Sequence, residues 1–182
     1  MLFSVLGISF GVAYVLRFHP VLMKLKSLIS GRRAFSAEIR CASYLPNWRP
    51  GTDYRQSESA KLASGGGVLR DLSHELDYAA WLFGGFSRVA ALGGRFSGLE
   101  IETDDSFAIL AEAENCSSVS ISINYLGRPT ARGVVVNMDE GTYQADLIAC
   151  AITLNGQVIF EAPPFDRDAA FALQHQEAMM EN

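Results

Sequence analysis

From Phe86 to Ala162 the sequence repeats one local pattern: short runs in which apolar and polar residues alternate, rich in β-branched side chains and cut by turn formers. The runs at 106–113 (SFAILAEA), 118–125 (SVSISINY), 133–138 (GVVVNM) and 158–162 (VIFEA) read as strands, and Glu114-Asn115, Gly127, Glu140-Gly141 and Asn155-Gly156 read as the turns between them. Successive side chains on a strand point to opposite faces, so each run offers one apolar face. Consecutive strands joined by short turns predict an antiparallel meander whose second face stays open to solvent or to another subunit.

The first half is different in kind. Residues 1–16 (MLFSVLGISFGVAYVL) carry no charge. A membrane-spanning helix needs about 20 apolar residues, so this run is too short to span. A signal peptide wants a basic start, whereas the first cation here is Arg17, after the apolar run. Its end, 11–18 (GVAYVLRF), is rich in Val, Tyr and Phe and predicts a buried strand stopped by His19-Pro20. Val21, Leu22, Leu25, Leu28 and Ile29 recur at helical spacing, with Gly31 as a stop. Residues 34–44 read as a strand, and 45–58 (LPNWRPGTDYRQSE) as a loop displaying aromatic and cationic side chains. Gly65 to Gly67 then open a helix in which Val68, Leu72, Leu76, Ala79 and Phe83 form the apolar stripe, closed by Gly84-Gly85. A last helix is predicted over 166–180. This order describes a single α+β domain over 1–182, with helices on one face of a predominantly antiparallel open sheet, and not a doubly wound fold.

Several functions are disfavoured by what the chain contains. A formal net charge of -5 offers no footprint for a phosphate backbone, so no nucleic-acid partner is expected. Three separated cysteines, Cys41, Cys116 and Cys150, make neither a zinc motif nor a disulfide framework; the default is a reducing, cytoplasmic compartment with no metal and no membrane role. Neither G-x-G-x-x-G nor G-x-x-x-x-G-K-[ST] occurs, so Gly65-Gly66-Gly67 is better read as a tight approach of backbone than as a phosphate cradle.

Asp71, His74, Asp77 and Tyr78 are three or four residues apart and fall on the polar face of the second helix. A histidine flanked by carboxylates can give and take a proton near neutral pH, with His74 as acid/base and Asp71 orienting it. The alternative is a half-buried helix histidine bonded to Asp71 or Asp77. In the loop, Trp48, Arg49, Asp53, Tyr54 and Arg55 combine an aromatic platform with hydrogen-bonding heads, suited to a polyhydroxylated or anionic small molecule, and equally to solvent or a subunit contact.

In order along the chain, Arg17-Phe18-His19-Pro20, Gly65-Gly66-Gly67-Val-Leu-Arg-Asp71-Leu-Ser-His74-Glu-Leu-Asp77 with Trp81-Leu-Phe-Gly84, and Thr103-Asp104-Asp105 resemble the Gfo/Idh/MocA oxidoreductases, the glucose-fructose oxidoreductase and inositol dehydrogenase family. Arg128-Pro129, Arg132 and Glu140-Gly141-Thr142 fit its sheet turns. The loop YLPNWRPGTDYR resembles the branch found with sugar and nonulosonate biosynthesis. The resemblance implies a C-terminal α+β domain that binds a sugar or sugar derivative and forms homo-oligomers through its open sheet. In complete members an N-terminal Rossmann domain binds NAD or NADP; this chain resembles the second part only, lacks the dinucleotide fingerprint and the Glu-Lys-Pro segment, and is expected to bind neither cofactor tightly and to be inactive alone.

By position, Asp71 and His74 match the family's catalytic pair, although His74 follows Asp71 by three residues where the family has four, a turn of roughly 100° on a regular helix. Arg17, Trp48, Arg49, Tyr54, Arg55 and Asp77 match its substrate side. The alternative is a noncatalytic oligomerisation or binding module from a truncated reading frame.

Overall fold

The computed structural model describes residues 2–5 and 8–180. Of the apolar segment 1–16, residues 1, 6 and 7 lie outside those described. Strands β1 (Leu2–Val5) and β2 (Ile8–Gly11) pair antiparallel in a small sheet of their own. The strand expected over 11–18 does not form: Val15–Phe18 is a 3-10 turn, closed by Arg17 N–H donating to Tyr14 O and His19 N–H to Leu16 O. The turn buries Val15 and Leu16 while carrying Arg17 around onto an acidic partner, which outweighs the β propensity of the run.

Helix α1 (Pro20–Ile29) has proline in its first turn, where no amide hydrogen is needed, and buries Val21, Leu22, Leu25 and Ile29. His19 Nδ1 caps it by accepting from Val21 N–H at 3.2 Å. After β3 (Ser36–Ala42) the loop predicted from residue 45 is built from 3-10 turns at Leu45–Asn47, Tyr54–Gln56, Glu58–Ala60 and Leu62–Ser64. The second predicted helix is two: α2 (Val68–Asp71) and α3 (Ser73–Phe83), separated at Leu72 with φ -106° and ψ 26°. Lys26 Nζ of α1 donates to the Trp81 and Leu82 carbonyls at the end of α3, tying the two helices together.

Seven strands follow: β4 (Phe86–Gly94), β5 (Ser106–Ala113), β6 (Cys116–Asn124), β7 (Ala131–Met138), β8 (Gly141–Asp146), β9 (Ala151–Leu154) and β10 (Gln157–Glu161). With β3 they make an eight-stranded sheet in the order β10-β9-β8-β7-β3-β6-β5-β4. The sheet is mixed rather than a meander, because β3 inserts between β6 and β7 and runs parallel to β6; every other neighbouring pair is antiparallel. Helix α4 (Arg167–Met180) closes the described chain.

Register explains which face is covered. The row Ile109, Ile121, Ile39, Val134, Ala145 and Ile152 runs across six strands and is buried beneath the helices. One residue further along, the opposite face carries Leu110, Ser120, Glu38, Val135 and Gln144, none of them buried. A period of two therefore divides a core from an open surface. Among the described residues no helix is long and apolar enough to cross a membrane.

Candidate functional site

The glycine run is a point of close packing. A Cβ on Gly66 would lie 2.2 Å from the Glu58 carbonyl oxygen, and one on Gly67, where φ is +123°, would lie 2.5 Å from Asp104 Oδ1. Asp104 holds the helix start: its carbonyl accepts from Val68 N–H at 3.1 Å and its Oδ2 from Leu69 N–H at 3.0 Å. The Gly65 and Gly66 amides donate to Leu62 and Lys61 carbonyls. Amides committed in this way cannot also cradle a pyrophosphate, so this turn does not fit that part of a nicotinamide cofactor.

Thr103 and Asp105, both fully buried, lock the same corner: Thr103 donates to Ser59 O, and Asp105 accepts from Phe96 N–H, Ser97 N–H and the Ser97 hydroxyl. So pinned, α2 ends at Leu72 and α3 starts afresh, and Asp71 and His74 do not belong to one regular helix.

That break separates Asp71 from the rest of the predicted patch, and no hydrogen bond joins any two of its four polar residues. Asp71 Oδ2 accepts a 2.6 Å hydrogen bond from the Tyr125 hydroxyl at the end of β6. Asp77 takes Arg17 in a bidentate pair, with Nε to Oδ2 at 2.8 Å and Nη2 to Oδ1 at 2.6 Å, which raises the Arg17 pKa. Tyr78 is fully buried; burial first, then the Glu75 charge, pushes its phenol well above the usual range. Only His74 stays half-buried with no hydrogen bond from its Nδ1, and it packs edge-on against Tyr14 at 5.4 Å between ring centroids. No hydrogen bond joins Asp71 to His74. Burial, then the positive charge of Arg132, lowers the His74 pKa below the ordinary histidine value; Asp77 pulls the other way and Arg167 of α4 adds to Arg132.

The loop residues form a second cluster. Trp48 donates from Nε1 to Ser43 Oγ at 3.0 Å and stands edge-on to Tyr125 at 5.2 Å, so Trp48, Tyr125 and Asp71 are in continuous contact. A shallow cleft opens beside them, lined by Leu45, Trp48, Arg49, Thr52, Tyr54 and Ser59. Tyr54 Oη accepts from Glu100 N–H at 3.2 Å. Arg55 is turned to the exposed carboxylates of Asp53, at 2.8 Å, and Glu100, at 3.2 Å. Arg49 makes no side-chain ion pair among the described residues and lines the cleft.

Sequence reasoning missed Tyr14, Glu75 and Tyr125, and read Arg132 as a turn residue. Arg132 lies inside β7 and donates from Nε to Glu75 Oε1 at 2.7 Å, while Glu75 is fully buried. A glutamate at a position that helical spacing turns toward the core was the available signal. Cys41, Cys116 and Cys150 are buried free thiols, and burial pushes Cys41 up to about 12. Among the described residues no cluster of His, Cys, Asp and Glu is placed to hold a metal ion.

Residues 34–144 match the family described as the GFO/IDH/MocA C-terminal domain. The chain belongs to that family. Among solved structures, the GFO/IDH/MocA domain is similar to UDP-N-acetylglucosamine 3-dehydrogenase GnnA from Acidithiobacillus ferrooxidans, with TM-score 0.71, 16% identity, and 94% of this chain and 52% of that one covered. An oxidoreductase from Thermotoga maritima gives TM-score 0.69 at 16% identity, covering 94% of this chain and 52% of that one. The WlbA dehydrogenase from Bordetella pertussis, solved with NADH and UDP-GlcNAcA, gives 0.64 at 20% identity, covering 91% and 49%. These likenesses establish the fold, and the chain spans about half the length of the solved structures it matches. No curated protein matches the sequence.

Proposed function

We propose that this GFO/IDH/MocA domain is the substrate-binding portion of an NAD(P)-dependent oxidoreductase acting on a CH–OH group of a sugar or sugar derivative, with His74 as the proton-transferring residue. NAD(P), held by the other half of a complete enzyme, would exchange hydride with the substrate carbon. His74 takes the hydroxyl proton as the substrate is oxidised and returns it in the reverse direction. The observation that carries this reading is the half-buried His74 ring, held below its ordinary pKa and flanked by a bidentate Arg17–Asp77 pair.

Asp77, on the same helix as the ring, forms a bidentate pair with Arg17, and Asp71 is bonded to Tyr125, which adjoins Trp48 at the cleft, where Arg49 and Tyr54 offer donors to hydroxyl or acidic groups. The partner is a small molecule, and the compartment we assign is the cytoplasm, where three buried free thiols persist.

Isothermal titration of the chain with NADH and NADPH should show no micromolar binding; binding at that strength would overturn the division of labour. In a complete enzyme His74→Asn should lower kcat by about 100-fold or more, the usual worth of a general acid/base. Undiminished turnover would remove His74 from the mechanism.

A second reading, noncatalytic self-association, rests on the open face of the sheet, where Leu92 is 73% and Leu110 56% exposed near the β4 edge. Sedimentation of wild type against Leu92→Glu/Leu110→Glu tests it: a dimer that the double variant dissolves is expected, and a monomeric wild type would refute it.

A further inference from the structure

We propose that Arg128, in the connection between β6 and β7, extends the cleft beyond Trp48 and Arg49 into a seat for a phosphoryl group, so that the substrate is a sugar bearing phosphate, as a simple ester or within a nucleoside diphosphate. This deepens the reading of the domain as the sugar-binding part of an oxidoreductase and rests on it.

The sheet brings two distant segments side by side. At its end β3 pairs Ala42 with Asn124 of β6 and with Ala131 of β7, so residues 43–48 leave the sheet next to residues 125–130. Three contacts stitch the segments together. Ser43 Oγ and Thr130 Oγ1 share a hydrogen bond at 3.2 Å, Trp48 Nε1 donates to the same Ser43 Oγ at 3.0 Å, and the Arg128 guanidinium lies over the Tyr44 ring, with Cζ 4.0 Å from its centroid. Arg128 therefore belongs to the wall that carries Trp48, although some eighty residues separate them in the chain.

A guanidinium laid on an aromatic ring keeps the N–H donors at its edge available. Among the described residues neither Arg128 nor Arg49 is paired with a carboxylate, and Asp53, the acidic residue nearest Arg49 in the sequence, is taken by Arg55. In a chain of net charge -5, two cations are thus left unneutralised on neighbouring segments. A guanidinium fork binds oxygens in pairs, so one fork fills the two oxygens of a carboxylate, whereas a phosphate ester has three free oxygens and nearly two charges to offer a second. Contacts run from Asp71 through Tyr125 and Trp48 to Ser43, which puts this seat at the opposite end of that line from Asp71.

Ligand titration of the whole chain, followed by the NMR signal of the Trp48 indole N–H, tests the seat; Trp48→Phe assigns that signal between the two tryptophans. The probes are glucose 1-phosphate, UDP, glucuronate and glucose. Glucose 1-phosphate, UDP or both should shift the signal saturably and bind about 10-fold or more tighter than glucose, less so as salt rises. Saturation by glucose 1-phosphate identifies a simple ester, and saturation by UDP alone a nucleoside diphosphate. Arg128→Gln and Arg49→Gln should each weaken the phosphate probe by about 5-fold or more. Arg33→Gln, which removes the same charge before the other end of β3, should not. The proposal is overturned if neither phosphate probe saturates, if glucuronate binds as tightly as they do, if either of the first two variants binds like wild type, or if Arg33→Gln loses as much. These affinities are read without turnover, so their failure leaves the role of His74 standing, whereas a fully active His74→Asn enzyme would end that role and leave the affinities unchanged.

Discussion

The ion pair under α3 and the one on the loop use the same chemistry at nearly the same distance. Arg132 reaches Glu75 at 2.7 Å, and Arg55 reaches Asp53 at 2.8 Å. Glu75 has no exposed side-chain surface, whereas the Arg55 and Asp53 side chains are 49% and 40% exposed. The inner pair cannot be given up, because the Glu75 carboxylate left alone would be stranded in a low-dielectric layer, while the Arg132 side chain keeps 26% of its surface exposed. The outer pair is screened by water and can exchange its partners for a ligand at small cost. Separation alone says little about what an ion pair does; the dielectric around it decides.

Breaking the inner pair on one side should have the largest effect. Arg132→Ala leaves the fully buried Glu75 carboxylate uncompensated and should cost about 3–5 kcal/mol in urea unfolding, and a loss below about 1 kcal/mol would place solvent at that pair.

A second buried junction sharpens the contrast through pH. His19 is 2% exposed, between the Val21 amide and the Leu147 carbonyl, and burial lowers its pKa to about 4. A histidine depressed in the fold favours the folded state fully above its unfolded value of about 6.5, and that contribution is lost as pH falls toward 4, on the order of 3 kcal/mol. Acid titration of stability should show this loss, and His19→Asn should flatten it; equal slopes in both proteins would refute the assignment.

Tyr125→Phe removes the hydroxyl bonded to Asp71 and should cost about 1 kcal/mol, with weaker binding in the neighbouring cleft. The smallest effect is expected on the loop: Arg55→Ala should leave Tm unchanged, and a clear fall in Tm would mean that the exposed network is structural.

The sequence reveals elements wherever one period runs uninterrupted. Val21 to Ile29 lies within α1, and the predicted 166–180 helix differs from α4 by one residue. Strands β5, β6, β7 and β10 coincide with alternating runs, but β4 is an exposed edge with little alternation, and β9 has four residues, so neither stands out as a run. The break at Leu72 was hidden because the apolar period continues through it, and the aspartate that fixes α2 comes from position 104, far along the chain. For the same reason the types of the candidate groups were legible and their partners were not. Asp71, His74 and Asp77 sit on neighbouring turns, but Tyr125, Arg132 and Arg17 arrive from β6, β7 and the turn before α1.

The placement of β3 has a consequence for biogenesis. Its two neighbours, β6 and β7, are completed only at Asn124 and Met138, so a nascent chain that has already made β3 holds an unpaired central strand while some eighty residues or more are still to be translated. Long-range closure of this kind is slow relative to helix formation. Emerging from the ribosome, the domain would offer that strand to chaperones, or to a neighbouring polypeptide, well before its own partners exist.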